Sequence, residues 1–124
     1  MSDFRLVEYI EHIAQYAQEI LDFSEGISES VFKKERIIQQ AVCMNVITLG
    51  EIAASIQRKY PDFVSSNHTL PWKEMAQTRH KMVHGYHDID LDIIWDTIQN
   101  DIPFVVQAVH VALKEAMDYE KSLS

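Results

Sequence analysis

The residues best equipped for chemistry cluster in one short stretch. Arg79, His80, Lys81 and His84, with Tyr86 and His87 just beyond them, are groups able to bind an anion and move a proton. Arginine presents a planar fork of donors and stays charged. Imidazole titrates near neutral pH and can give or take a proton. Together they suffice for metal-free cleavage of a ribose phosphodiester: a base takes the 2′-hydroxyl proton, a cation holds the phosphate, and an acid protonates the leaving oxygen. The plainer reading of the same residues is an amphipathic helix whose cations complement its C-terminal dipole.

The element that must position them is a helix opening at Pro71, which suits a first helical turn. Trp72, Met75, Ala76, Met82 and Val83 give it apolar positions at roughly helical spacing. Gly85 reads as its stop, through the left-handed conformation that glycine enters freely. Arg79 and His84 are five residues apart, so at about 100° per residue they point roughly 140° away from each other on a regular helix. Either the helix ends before His84, or a partner subunit across a two-fold axis completes the site.

Around this helix the chain reads as all-α. Residues 3–23 carry an apolar stripe at Leu6, Val7, Ile10, Ile13, Ala14, Ala17, Ile20 and Leu21. A second helix starts at Ser28 or Ser30 and runs to about Tyr60; it is apolar on more than one side around Ala41–Leu49, as a central or interface helix would be. Gly50 weakens it by roughly 1 kcal/mol relative to alanine, which close approach of a neighbouring helix would explain. Residues 61–70 read as a loop. Asp88 or Asp90 restarts the helix, with Leu91, Ile94, Trp95 and Ile98 facing inward. Pro103 predicts a break near Asn100–Ile102, and a last helix to about Lys121 uses Phe104, Val105, Ala108, Val109, Val111, Ala112 and Ala116. The expected architecture is one domain over residues 1–124, an antiparallel bundle of four to five helices.

Eleven Lys and Arg against 19 Asp and Glu give a net charge of −8, which opposes generic nucleic-acid binding. Residues 71–87, however, hold Lys73, Arg79 and Lys81 against Glu74 alone, plus three histidines, and so fit a localised anion site. Cys43 has no partner for a disulfide and reads as a reduced core thiol. Asp3 and Glu8 stand where a signal peptide would need a basic then apolar segment, and no apolar run approaches membrane-spanning length. The expectation is a cytoplasmic protein with no membrane segment. His80 and His84 share a helix face, but zinc would still need a third or fourth ligand from Asp88, His87 or another element, and no HExxH pattern is present. The acidic run at 88, 90 and 92 lacks the rest of a calcium loop. No metal and no cofactor are expected.

Arg79, four residues, His84, one residue, Tyr86 resembles the signature of the HEPN ribonucleases, specifically the HepT toxins of HepT–MntA toxin–antitoxin pairs. His80 after Arg79, Pro71-Trp72 opening the helix, Asp88-Ile89-Asp90-Leu91 following it and Leu49-Gly50-Glu51 earlier extend the resemblance over nearly the whole chain. The resemblance implies a HEPN-like bundle and a metal-independent RNA endonuclease, the toxin of a type VII toxin–antitoxin system, with tRNA a candidate target. It makes Arg79 and His84 catalytic, gives His80 and Lys81 a role in binding substrate, and makes Tyr86 the tyrosine AMPylated by an MntA-like nucleotidyltransferase antitoxin. It also implies a homodimer with the site at its seam. The alternative is a non-catalytic helical module that binds a nucleotidyltransferase partner and needs neither Arg79 nor His84.

Overall fold

The computed structural model describes residues 4–123, and of Tyr86 the backbone alone. Helix α1 spans Leu6–Ser24, α2 Glu29–Phe32, α3 Arg36–Lys59, α4 Pro61–Ser66, α5 Trp72–His84, α6 Leu91–Asp96 and α7 Ile102–Ser122. A 3-10 turn at Tyr86–Asp88 separates α5 from α6, and a π-turn at Thr97–Asp101 joins α6 to α7. No strand occurs among the described residues. The four long helices α1, α3, α5 and α7 form the expected all-α bundle, with α3 packed between α1 and α5 and α7 against α1.

The stripe predicted for α1 packs inward: Leu6, Ile10, Ile13, Ala17 and Ile20 are fully buried. From α3 come Val42, Val46, Leu49, Ala53 and Ile56, and from α7 Val105, Val109, Ala112 and Ala116. At about 25 cal/mol per Å² of apolar surface removed from water, this common core is the main force holding the helices together. Helix α3 is in fact long and apolar enough to cross a membrane, contrary to the expectation from runs of residues. Its polar residues interrupt every run yet leave the average hydropathy high. In the fold that apolarity is used as the central helix of the bundle.

Several boundaries differ from those expected. The predicted second helix is two helices. Ser28 caps α2, its hydroxyl accepting from the Val31 N–H at 3.2 Å, and the chain then breaks at residues 33–35. The Gln39 side chain donates to the Phe32 carbonyl at 2.9 Å across that break. The expected loop 61–70 contains α4, because Pro61 fits a first turn and Phe63 is fully buried against Trp72 and Tyr119. The expected break before Pro103 is instead a wide turn: the Ile102 N–H donates to the Thr97 carbonyl, five residues back. Such a π-turn widens the ladder just where proline cannot donate to it. Phe104 and Val111, predicted inward, are more than half exposed.

Candidate functional site

Helix α5 is aimed from its N-terminal end. Trp72 is buried, its indole N–H donating to the Asn67 carbonyl at 2.8 Å, while the Asn67 amide donates to the Phe63 carbonyl at 2.9 Å. These bonds lock the turn between α4 and α5. Pro71 is the residue before the helix, with φ −82° and ψ 72°, and not part of the first turn as expected. At the other end Gly85 has φ −119°, so the helix stops without the left-handed glycine predicted. The Gly85 carbonyl instead accepts from the Asp88 N–H at 2.9 Å, closing the 3-10 turn. The helix runs through His84, which removes the possibility that it ends before that residue.

Arg79 and His84 therefore leave one regular helix on different sides. Arg79 faces α3, on the side of Met75 and the buried Met82, and is half-buried. The two helices touch at Gly50: a Cβ built there would stand 2.1 Å from the Arg79 Cβ and 2.7 Å from the Met75 carbonyl oxygen. The next residue, Glu51, forms an ion pair through its carboxylate with the Arg79 Nη2. The Arg79 Nε is buried and has no hydrogen-bond partner among the described residues. Its guanidinium is thus held by one edge. Glu51 was noted in the sequence only as part of Leu49-Gly50-Glu51; a carboxylate next to a glycine inside a long helix was the available signal for a charged partner at a helix crossing.

His84 is exposed, and its ring stands 4.3 Å from that of His80, tilted by 56°. His80 and Lys81 line an open groove on the same side of α5 with Gln57, Lys73, Ala76 and Gln77. A second recess, which Lys81 also lines, is acidic, with Asp88, Asp90, Asp96 and Asp101 among its walls. Burial, reinforced by the neighbouring Asp96, pushes the Asp101 carboxyl above its ordinary range. Asp90 also caps α6, accepting from the Asp92 N–H at 2.9 Å, as predicted. The backbone of Tyr86 opens the 3-10 turn; its side chain lies outside the described residues. Cys43 is buried, and desolvation pushes its thiol to about 11, so it stays protonated and unreactive near neutral pH.

The structure is an all-α helical bundle in which Arg79 and His84 leave the C-terminal half of one helix on different sides. The family model for Ribonuclease HepT-like matches residues 13–112. The chain is 32% identical over 96 residues to a protein of Thermococcus cleftensis described as a probable ribonuclease HepT, covering 77% of this chain and 84% of that one. It is 31% identical over 113 residues to a protein of Caldanaerobacter subterraneus subsp. tengcongensis named as a candidate RNase, covering 91% and 95%. A similarly named Methanocaldococcus jannaschii protein is 28% identical over 107 residues, covering 86% of each chain. No solved structure matches the chain significantly. The chain belongs to the HepT-like ribonuclease family.

Proposed function

We propose that the protein is a metal-independent RNA endonuclease, the toxin of a toxin–antitoxin pair, in which Arg79 holds the scissile phosphate and His84 moves the proton. The observation that carries this reading is the placement of both residues in the C-terminal half of α5 in a chain of the HepT-like ribonuclease family. Because they point to different sides of that helix, the reading includes a symmetric homodimer in which Arg79 of one protomer and His84 of its partner meet over one phosphate. The reading places the protein in the cytoplasm, with RNA, tRNA included, as substrate. The test is cleavage of a structured RNA by purified protein with EDTA in excess: full activity is expected, and a requirement for added divalent metal sinks the mechanism. A stable monomer that still cuts RNA, seen by sedimentation, sinks the shared site.

Glu51 is expected to matter through Arg79. Glu51→Ala removes the partner that orients the guanidinium and should lower kcat about tenfold, the order of one charge-assisted hydrogen bond. Glu51→Gln keeps an acceptor oxygen and should retain most of the rate. Steady-state kinetics showing equal rates for both variants and wild type would remove Glu51 from the site.

Tyr86 is the proposed point of control by an MntA-like nucleotidyltransferase antitoxin. AMP attached there brings a phosphodiester charge and a bulky nucleoside two residues from His84. The charge would pair with a cation such as Lys81 and the bulk would block the site. Co-expression with the cognate transferase is expected to add AMP-sized mass to the peptide bearing Tyr86 and to suppress cleavage, and Tyr86→Phe should resist both effects. AMP found on another residue, or full activity of protein modified at Tyr86, would exclude this control.

A further inference from the structure

We infer that the outer face of α5 is a single-strand RNA track leading to His84, built by Lys73, Gln77, His80 and Lys81 with Gln57 contributed from α3. The inference rests on the ribonuclease reading for the identity of its polymer, and on the structure for its path. At about 100° per residue, Lys73, Gln77, His80 and His84 fall within an arc of roughly 60°, so they form one row along the helix. From Lys73 to His84 the row advances eleven steps, or roughly 16 Å at about 1.5 Å per residue, which is longer than a single phosphate group needs. All four side chains are exposed, as is Lys81 beside them.

The groove along this row is lined by Gln57, Lys73, Ala76, Gln77, His80 and Lys81, and no Asp or Glu among the described residues lines it. That is unusual ground in a chain with 19 acids and 11 Lys and Arg. Among the described residues neither Lys73 nor Lys81 makes an ion pair, whereas Lys33 pairs with Glu29 and Asp92, and Arg79 with Glu51. The cations of the groove are therefore available to a polyanion. Glu74, the one acid of α5, lines a different cleft with Pro71 and Met75. The side chains also suit a single strand in particular: lysines meet phosphates, glutamine amides meet unpaired base edges, and an exposed imidazole offers a stacking face. Lys81 stands at the boundary of the groove and also lines the acidic recess with Asp88, Asp90, Asp96 and Asp101, which would repel a strand. The track thus runs from His84 back toward Lys73 and does not continue past Gly85.

The test is binding of a single-stranded RNA oligonucleotide, made non-cleavable by 2′-O-methylation, measured by fluorescence anisotropy over a range of salt concentrations. Each phosphate contact on a single strand contributes about 0.7 to the slope of log affinity against log salt. Lys73→Ala and Lys81→Ala are each expected to flatten the slope by about that amount, and Gln57→Ala and Gln77→Ala to alter base preference with the slope unchanged. Wild-type slopes in both lysine variants overturn the track, even if the protein cleaves RNA. Flattened slopes in a protein that never cuts RNA keep the track and remove the ribonuclease reading. Loss of nucleotidyltransferase binding with RNA affinity intact also overturns the track, by showing the face to be a protein interface.

Discussion

Replacing His84 or Arg79 by alanine is expected to abolish RNA cleavage while leaving a folded protein. Loss of a positioned general acid or base costs about 10²–10⁴-fold, and loss of one donor to a developing phosphate charge about 10²–10³-fold. The structure predicts small effects on stability. His84 is exposed and touches only the His80 ring among the described contacts. Alanine at 79 keeps the Cβ that meets Gly50, and it removes an ion pair whose Glu51 partner is half exposed. Such pairs contribute about 0–1 kcal/mol. Arg79→Lys should also fail largely, because a point charge does not reproduce a bidentate fork. The check is single-turnover cleavage alongside thermal melting of each variant. Near-wild-type cutting by either alanine variant moves the chemistry elsewhere. In a shared site, mixing the two inactive variants should restore part of the activity, since a heterodimer retains one intact Arg79–His84 pair.

What the sequence disclosed was a set of candidate side chains, and less of their geometry. Arg79 and His84 could be singled out from side-chain chemistry, and their divergence by about 140° followed from helical pitch. The row Lys73, Gln77, His80, His84 was equally open to a helical wheel, but attention to cations alone passes over Gln77. Gln57 could not be found this way, because it reaches the groove from α3, and only the packing of α3 on α5 brings the two helices together. Glu51 is similar: its ion pair with Arg79 depends on the depth of the crossing at Gly50.

The fold was legible where periodic burial determines it and less so where local hydrogen bonding does. The α1 stripe needed only its spacing. Residues 61–66 lack any such period, and their helix forms because buried Phe63 anchors it to Trp72. The passage through Pro103 was misread because proline excludes a donor, not a helix. A ladder that shifts by one residue at 97–101 can accept it. Phe104 and Val111 stand roughly 110–130° round α7 from the stripe of Val105, Val109, Ala112 and Ala116, and end more than half exposed because the described neighbours of α7 cover only that stripe.

The crossing at Gly50 makes the second large prediction. In an exposed helix, Gly→Ala should stabilise by roughly 1 kcal/mol. Here the added methyl would lie 2.1 Å from the Arg79 Cβ and 2.7 Å from the Met75 carbonyl oxygen. A Cβ and a backbone oxygen cannot rotate aside, so α5 must move away from α3. Overpacking of this kind costs typically about 1–3 kcal/mol, occasionally more, which outweighs the gain in helix propensity. The expected result is a melting temperature lower by roughly 5–10 °C. The effect on cleavage should be larger than stability alone explains, because the displaced segment carries Arg79, and a 1 Å misplacement of a reacting group can cost about 100-fold. Ile56→Val separates the two effects: it removes a buried methyl from the same helix at about 0.5–1.5 kcal/mol, away from the crossing, and should leave cleavage at wild-type levels below its melting point. Gly50→Ala that melts like wild type, or that loses stability yet cuts RNA at the wild-type rate, would show that the close approach of α3 and α5 does not set the position of Arg79.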